Sequence, residues 1–311
     1  MSVPTGRPLV SVVTPTLGQA AFIERTIRSV REQTYPHVEH IVVDGGSTDG
    51  TIEILRRHDG DPGFRWISEP DRGMYDAVRK GFELASGQVF AYLNSDDLLL
   101  PWALETIVAT FEAVPVAGLV FGDALWIEQG SGRQRVLVQP AGGSAYLRRI
   151  GSFAQPATAW RRDVHQQAGG FDPTLRYTGD LDFFLRATAI TPIRRIDEIL
   201  AVMRSHPGMK TIADAGPMRD ENDRVRAGHA TRFDRSRRGV ALARARAWGM
   251  RRLLLLRLAC SIDSGGAHGW REFVRGSRPQ VDRGRLLLGL LPGRFAGYQV
   301  DAIRSGVDWL G

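Results

Sequence analysis

Cysteine and lysine are scarce in this chain of 311 residues, which has one cysteine, Cys260, and two lysines. A single cysteine excludes an internal disulfide and fits a reducing compartment, and its leucine-rich surroundings favour packing over nucleophilic chemistry. No stretch approaches the roughly 20 apolar residues that span a bilayer, and Met1 to Pro4 lack the apolar centre of a signal peptide. We therefore expect a cytoplasmic protein.

The formal net charge of +7 is concentrated near the C-terminus. Residues 235–311 contain 15 arginines and 5 acidic residues, whereas residues 1–234 contain 26 basic and 29 acidic residues. Within 240–260, arginines and leucines recur at spacings that predict a helix with a basic and an apolar side. We predict a main domain over 1–213, a linker or solvated helix over 214–234 and a basic helical region beyond it.

The first hundred residues alternate short apolar runs with amphipathic stretches, which predicts an α/β fold with βαβ units and a parallel sheet covered by helices. The predicted strands are 10–16, 40–44, 64–68 and 89–93, and the predicted helices are 22–33, 52–57 and 73–85. After Pro101 the regularity is weaker, which predicts a mixed or antiparallel half. Its predicted strands are 119–121, 124–127, 136–139 and 194–203, and its predicted helices are 161–168 and 180–189.

An acidic cluster, Asn94-Ser95-Asp96-Asp97, follows the apolar run 89–93. Adjacent carboxylates at the end of a buried strand need a cation or must bind protons, because bare charge is costly away from water. Hard oxygen ligands suit Mg²⁺ or Mn²⁺, which keep coordination positions for substrate phosphates. We interpret the cluster as a metal and diphosphate site, with a loop or capping role as the alternative.

Two further polar segments follow predicted strands, where α/β folds place their ligands. Asp44 precedes the turn Gly45-Gly46-Ser47, and its carboxylate can accept hydrogen bonds from a nucleobase or ribose, or it can cap the turn. Asp71 and Arg72 precede Gly73 and can contact a base or a phosphate, or they can belong to a solvated loop at a helix start.

Two polar residues in the second half of the main domain are candidates for chemistry. Asp180 begins a predicted apolar helix and can act as a general base, which needs a carboxylate within hydrogen-bond reach of an incoming hydroxyl. Asp182 is more typical of a structural partner, and helix capping is the alternative for both carboxylates. His206 can bind a metal or donate to a phosphate, although a lone loop histidine more often does neither.

In the order and spacing of these segments, the chain resembles the family 2 glycosyltransferases, which are inverting enzymes with the GT-A fold. The matching segments are 10–16, 42–51, 71–77, 92–97, 169–172 and 180–186, and the resemblance covers about residues 8 to 210. It implies a GT-A fold, with a Rossmann-like, mainly parallel sheet flanked by helices. It also implies a nucleotide-sugar half over about 8–100 and an acceptor half over about 101–213.

The resemblance implies transfer of a sugar from a UDP, GDP or dTDP donor to a hydroxyl of a saccharide or lipid-linked acceptor. Asp180 matches the catalytic base, Asp96 matches the DxD carboxylate that binds Mg²⁺ or Mn²⁺, and His206 matches a position that touches the phosphates or the metal. The residues expected to bind the donor are Thr14, Pro15, Thr16, Asp44, Asp71, Arg72, Asn94 and Ser95.

Two positions depart from the family pattern. Asn94 occupies the first DxD position, which leaves one fewer anionic metal ligand, although its amide can still meet a metal, a ribose or a water. Gly179 occupies a position where many members have Glu beside the catalytic Asp.

Two other classes of protein are open alternatives at this point. A nucleotide-dependent oxidoreductase would need G-x-G-x-x-G after the first strand, where this chain has Pro15-Thr16-Leu17-Gly18-Gln19-Ala20. A nucleic-acid-binding protein would use the arginine-rich C-terminal region, but leucine runs and few stacking aromatics lead us to expect no nucleic-acid partner. That region instead suits docking on an anionic membrane surface at the inner face of the cell membrane, or packing on the protein itself.

Overall fold

The computed structural model describes residues 6–129, 134–137, 139, 143–149, 151–209 and 214–231, with short segments at 238–239, 241–242, 245, 248–249, 280–281, 299–300 and 303–304. Apart from those short segments, the basic C-terminal region over 235–311 and its predicted helix over 240–260 lie outside the described residues.

The described chain alternates strands and helices in its first half, as the apolar pattern predicts. The strands are β1 (Val10–Thr16), β2 (Val38–Asp44), β3 (Phe64–Ser68), β4 (Val89–Tyr92), β5 (Leu98–Leu99), β6 (Leu119–Glu128), β7 (Gln134–Leu137), β8 (Thr158–Arg161), β9 (Ile193–Ser205), β10 (Gln280–Val281), β11 (Gln299–Val300) and β12 (Ile303–Arg304). The helices are α1 (Ile23–Arg31), α2 (Thr51–Arg57), α3 (Met74–Leu84), α4 (Ala103–Ala113), α5 (Gly143–Leu147), α6 (Arg162–Gln167), α7 (Gly179–Ile190) and α8 (Ala215–His229), with a 3-10 turn at Gln155–Ala157.

The main sheet has a parallel half and a mixed half. Strands β3, β2, β1 and β4 are parallel neighbours, and β8 joins β4 to β6 through antiparallel pairs. Strand β9 runs parallel to β6, while β7 pairs with β6 antiparallel. The α/β fold with a parallel first half and a mixed second half is therefore confirmed. Because β1 and β2 are in register at Thr16 and Asp44, both strands end at one edge of the sheet.

Strands β1 and β4 are buried along their whole length, which explains why most of their residues are apolar. Val13 points into a core formed with Val78 and Phe82 of α3, which continues into the aromatic side chains of α7. Val12 points the other way, into a core formed with Leu104 and other residues of α4. The sheet is thus the middle layer of three, and its edge at the carboxyl ends of β1, β2 and β4 is left for a site.

Several boundaries differ from the prediction. The predicted strands 119–121 and 124–127 form one long strand, β6, whose pairing with β9 shifts register around Asp123. At this shift Gly122 and Asp123 interrupt the apolar pattern of the sequence, but the strand and its pairing continue through them.

The segment 214–234 contains α8, which is anchored to the main domain rather than surrounded by solvent. Glu221 is buried, and its carboxylate accepts hydrogen bonds from the backbone N–H groups of Arg176, Tyr177 and Thr178. The structure thus shows a helix over 215–229, one of the two alternatives predicted for this segment, and Glu221 is its buried residue. The division of the chain at residues 213 and 234 stays a prediction.

Among the residues that the structure describes, no helix has both the length and the apolar character needed to cross a bilayer.

Candidate functional site

A cavity of about 430 Å³ opens at the carboxyl edge of the parallel strands. Its walls come from segments that are far apart in sequence: the end of β1, the start of α3, the loop after β4, the start of α7 and the residues after β9. The predicted site residues on these walls are Pro15, Thr16, Asp71, Asn94, Ser95, Asp96 and Asp180.

Asp44 lies fully buried at the end of β2, where its carboxylate caps the following turn. It accepts hydrogen bonds from the N–H groups of Gly46 and Ser47, both at 3.0 Å, and from the hydroxyls of Ser47 and Ser68. The structure therefore shows the capping role that the sequence left as an alternative. Contact of Asp44 with a nucleoside stays a prediction.

Asp71 lies against the same turn. Its Oδ1 accepts the N–H of Gly73 at 2.8 Å, and a Cβ at Gly45 would meet Asp71 Oδ2 at 2.5 Å. Only glycine at position 45 allows this close approach. Arg72, in contrast, points away from the cavity wall: its guanidinium is exposed and pairs with Asp76.

Thr14 and Thr16 lie two residues apart in β1 and so point to the same face of the sheet, but at different distances from its carboxyl edge. The Thr14 hydroxyl is buried in the interior, 2.9 Å from Nε2 of His40. The Thr16 hydroxyl lies on the cavity wall, where it is buried and has no hydrogen-bond partner in the described part of the chain. The side-chain carbonyl of Gln19, on the same wall, also lacks a partner there.

The side chain of Asn94, the first residue of the acidic cluster, hydrogen-bonds to three polar groups. Its Oδ1 accepts the hydroxyl of Tyr92 at 2.6 Å, and its amide nitrogen lies 3.2 Å from Gln155 Oε1 and 3.4 Å from Asp97 Oδ2. Asn94 is thus held on several sides and fixes the loop after β4.

Asp96 faces the cavity and is joined to His206, which follows β9. Nε2 of His206 lies 3.1 Å from Oδ2 of Asp96, and the imidazole is stacked on the Phe22 ring with centroids 4.4 Å apart. Two residues separated widely in sequence therefore form one carboxylate–imidazole pair, as the metal-site hypothesis requires. His206 itself lies behind Asp96 rather than among the residues that line the cavity.

Asp97 lies behind Asp96 and is fully buried beside Arg204 of β9. Burial, followed by the neighbouring charge of Asp96, raises the pKa of the Asp97 carboxyl well above its usual value, while Arg204 opposes the rise. Burial also lowers the pKa of Arg204 to about 10. The guanidinium donates to the backbone carbonyl of Asp96 and lies beside the Thr26 hydroxyl, so a protein cation supports this loop from inside.

Asp180, in the first turn of α7, lines the cavity. Its Oδ1 accepts the N–H of Leu181 at 2.8 Å and the hydroxyl of Tyr75 at 3.2 Å. Burial raises the pKa of the Asp180 carboxyl, and these two donors oppose that rise. A carboxylate with a raised pKa in a cavity is suited to accept a proton.

Negative charge is in excess on the cavity wall. Of the described residues that line it, four are aspartates and one is an arginine, Arg176. Such a wall would repel a diphosphate unless a cation bound with it. Among the described residues, no group of three or more His, Cys, Asp and Glu side chains is arranged to hold a metal alone. The Asp96–His206 pair offers one oxygen and one nitrogen ligand, which fits a metal whose other ligands are phosphate and water.

Sequence reasoning missed three residues that shape the site: Tyr75, Arg204 and Glu221. A signal existed for Arg204, because an arginine follows the apolar run Ala201-Val202-Met203 in a strand that is otherwise buried. Tyr75 had no comparable signal, since a tyrosine beside apolar helix positions is typical of a core.

Comparisons with known proteins agree with this geometry. The profile of the family described as "Glycosyl transferase family 2" matches residues 11–163. An uncharacterized glycosyltransferase of Mycobacterium tuberculosis is 34% identical over 195 residues, which cover 60% of this chain and 71% of that protein. A PGL/p-HBAD biosynthesis glycosyltransferase of Mycobacterium bovis is 32% identical over 186 residues, which cover 58% of this chain and 69% of that protein.

Solved structures show the same architecture. TarS 1-349 of S. aureus, in complex with UDP-GlcNAc, has a TM-score of 0.59 at 16% identity and covers 82% of this chain and 73% of its own. The mannosyltransferase PcManGT of Pyrobaculum calidifontis, in complex with GDP-Man and Mn²⁺, has a TM-score of 0.56 at 22% identity, with coverage of 86% and 77%. The fold is thus that of the GT-A glycosyltransferases. By its sequence, the chain belongs to glycosyltransferase family 2, which decides against the oxidoreductase alternative.

Proposed function

We propose that this glycosyltransferase moves a sugar from a nucleotide-diphosphate donor to a hydroxyl of a saccharide or lipid-linked acceptor, with inversion at the anomeric carbon. The observation that carries the proposal is that Asp180 and Asp96 line one cavity, with His206 bonded to Asp96 from behind. These groups supply the two functions that such a transfer needs, which are removal of a proton and stabilisation of a departing diphosphate.

The reaction is a single displacement. The acceptor oxygen forms a bond to the anomeric carbon while the bond from that carbon to the diphosphate oxygen breaks. The bonding electron pair leaves with the diphosphate, and the proton of the attacking hydroxyl passes to Asp180. Because attack and departure occur on opposite faces, the anomeric configuration inverts and no covalent enzyme intermediate forms.

The donor nucleotide is assigned to the wall formed by the end of β1 and by Asp71. Support comes from the hydroxyl of Thr16 and the side-chain carbonyl of Gln19, two buried polar atoms without partners in the described part of the chain. Buried polar atoms in native proteins are nearly always paired, so a ligand that hydrogen-bonds to them is expected there. The related folds are bound to UDP-GlcNAc in TarS and GDP-Man in PcManGT, and we propose a UDP, GDP or dTDP sugar for this chain.

The proposed cofactor is Mg²⁺ or Mn²⁺, held by Asp96 and His206. When bound, the ion would neutralise charge on the diphosphate as a Lewis acid. Excess negative charge on the wall and the oxygen–nitrogen ligand pair support this assignment. The solved mannosyltransferase was also obtained with Mn²⁺.

The variant Asp96→Ala should lose turnover by at least about 10²-fold, the scale of several kcal/mol of transition-state stabilisation.

The proposed acceptor carries an apolar group, in keeping with a role in surface polysaccharide or glycolipid assembly. Every methionine between residues 6 and 231 lines the cavity: Met74, Met203, Met209 and Met218. Leu17, on the same wall, is 59% exposed. Flexible thioether side chains form adaptable apolar surfaces, which suits a lipid or another apolar aglycone beside the attacked hydroxyl. The mycobacterial PGL/p-HBAD relative is named for glycolipid-type biosynthesis.

A donor screen tests the proposed function directly. Purified enzyme is incubated with UDP-, GDP- and dTDP-sugars, with Mg²⁺, Mn²⁺ or excess chelator, and free nucleoside diphosphate is measured. We expect release from one donor class, dependent on metal and reduced in Asp96→Ala. Full activity of that variant, or full activity in chelator, would disprove the metal assignment, and no release from any donor would contradict the reaction class.

We also propose that the enzyme works at the cytoplasmic face of the cell membrane, with its basic C-terminal region on anionic lipid. The alternation of arginines and leucines in the sequence supports this. The test is co-sedimentation with anionic vesicles, compared with neutral vesicles and with free nucleic acid. We expect binding to anionic vesicles that salt weakens and that truncation after Asp234 abolishes. No vesicle binding, or loss of folding on truncation, would instead make this region a structural element.

A further inference from the structure

The hydroxyl of Tyr75 lies between two acceptors. Oδ1 of Asp180 and the backbone carbonyl of Tyr177 are each 3.2 Å from it. A tyrosine hydroxyl has one hydrogen to donate, so it can serve only one of the two at a time. A hydrogen bond to a charged carboxylate is stronger than one to a neutral carbonyl. The ionised form of Asp180 therefore attracts this hydrogen most strongly.

The ring of Tyr75 is held rigidly in this position. Tyr75 is 2% exposed, and its ring lies parallel to that of Phe171 with centroids 6.0 Å apart. A Cβ at Gly179 would lie only 2.7 Å from the Tyr75 ring. The ring thus occupies the space that a side chain at 179 would need, which explains glycine beside the catalytic carboxylate. Tyr75 comes from α3 and reaches the base from outside its own helix.

Two donors converge on one oxygen of Asp180. The N–H of Leu181 and the hydroxyl of Tyr75 both meet Oδ1. With Oδ1 held by these donors, the orientation of the carboxyl group is set and Oδ2 is the oxygen left for a proton from substrate. Fixing a reacting group in this way lowers the entropy cost of reaching the transition state.

We propose that Tyr75 is a positioning residue for Asp180, holding Oδ1 so that Oδ2 receives the acceptor proton and turning its own hydrogen to the Tyr177 carbonyl as Asp180 becomes neutral. The inference rests on the proposed function, in which Asp180 is the base. It adds a residue of α3, in the donor half, to the machinery that removes the acceptor proton.

Other ionisable groups surround the base, but they do not replace this contact. They are Tyr92 of β4, Asp96 and Asp97 after β4, Asp71 and Arg176 in neighbouring loops, and Asp182 on the same helix with its partners Arg186 and His229. In the described part of the chain, Tyr75 is the one side chain that hydrogen-bonds to the Asp180 carboxylate. Its hydrogen bond opposes the rise in the pKa of that carboxyl.

The variant Tyr75→Phe tests the proposal, because it keeps the ring that packs on Gly179 and removes only the hydroxyl. Without that donor the pKa of Asp180 rises, so the acid limb of kcat/KM should move to higher pH by about one unit. We expect kcat to fall roughly tenfold below the limb and to recover in part above it, while KM for the donor stays unchanged.

Tyr35→Phe is the matched control. Tyr35 is equally buried and donates its hydroxyl to the carbonyl of Pro8, away from the cavity, so its pH profile should equal that of the parent enzyme. An unshifted limb in Tyr75→Phe, with either full rate or an equal loss at every pH, would overturn the positioning role. Asp180→Asn is measured in parallel: full activity there would show instead that Asp180 is not the base.

Discussion

At the scale of single residues, the aspartates of the site differ in what surrounds them. Asp44 is satisfied by three donors of its own turn and by the Ser68 hydroxyl, whereas Asp97 is buried beside Arg204 and Asp96 faces the cavity with His206 behind it. Asp180 combines burial with only two donors, so its carboxyl has a raised pKa. The same side chain therefore serves as a cap and a buried structural group and, in our proposal, as a metal ligand and a base.

Asp180 and Asp182 occupy the same helix turn and allow a direct comparison. Asp180→Asn keeps the shape and removes the proton affinity, so turnover should fall by about 10²-fold or more while donor binding persists. Asp182 pairs with Arg186 at 2.6 Å and His229 at 3.0 Å, so Asp182→Asn should mainly lower stability, by about 1 kcal/mol. Steady-state rates and donor binding by calorimetry provide the measurement. A crippled Asp182→Asn beside an active Asp180→Asn would shift the base assignment by two residues.

At the scale of elements, α3 lies so close to β1 that one of its positions excludes a side chain. A Cβ at Gly81 would collide with Cγ1 of Val13 and lie 3.3 Å from Val43 Cγ2. Glycine inside a helix costs stability by itself, so its presence here reflects the close approach of helix and sheet.

The variant Gly81→Ala should therefore destabilise the protein by about 1–3 kcal/mol, although alanine favours helix by roughly 1 kcal/mol. In a Val13→Ala background the same change should cost less, because the colliding methyl is absent. Gly228→Ala in α8 is the control, since a Cβ there meets nothing within 4 Å and should be neutral or slightly stabilising. Urea unfolding measures all four variants, and equal effects of the two glycine changes would contradict this packing argument.

One buried carboxylate helps to anchor the helix α8, together with Arg226 and His229. Glu221 accepts three backbone N–H groups and the hydroxyl of Thr178, directly before the helix that carries Asp180. Glu221→Ala would leave these buried donors unpaired and should cost at least about 3 kcal/mol of unfolding free energy. Asp223→Ala, on the exposed side of the same helix, should change stability by less than about 0.5 kcal/mol. If the two variants were equally stable, α8 would not depend on this anchor.

At the scale of the whole molecule, buried histidines connect stability to pH. Burial lowers the pKa of His40, beside Thr14, to about 3, and that of His165, among the rings of Phe82 and Trp160, to about 4. In the unfolded chain both imidazoles bind protons below their ordinary pKa of 6.5, whereas in the folded protein they stay neutral. The free energy of unfolding is therefore unaffected by them above pH 6.5 and decreases as the pH falls below that value. Burial raises the pKa of Asp123 to about 6, which acts in the opposite direction.

Because of that opposing group, the effect is measured as a difference between two proteins. His165→Gln should be less stable than the parent at pH 7, and this deficit should shrink by about 1–2 kcal/mol at pH 5, because the variant has no buried imidazole to protonate. Urea unfolding at both pH values provides the comparison. A deficit of the same size at pH 5 and pH 7 would show that His165 does not contribute to the pH dependence.

Much of the fold could be predicted from the sequence because burial leaves a local pattern. Strand β1 was predicted with its observed bounds, since a strand buried along its whole length is rich in apolar and β-branched residues. The position of Asp96 and Asp44 at one edge followed from parallel strands sharing their carboxyl ends, and Asp71 lies there too. The carboxylates of the site are thus visible in sequence, because each follows a strand or begins a helix.

Tertiary structure alone decided which of these residues work together. The pairs Asp96 with His206, Asp97 with Arg204 and Tyr75 with Asp180 each join segments about a hundred residues apart. Their contacts depend on how strands and helices cross, which no local periodicity encodes. The anchoring of α8 by Glu221 escaped prediction for the same reason: a polar helix looks solvated in sequence, and only the packed fold shows that one of its carboxylates is buried among backbone N–H groups.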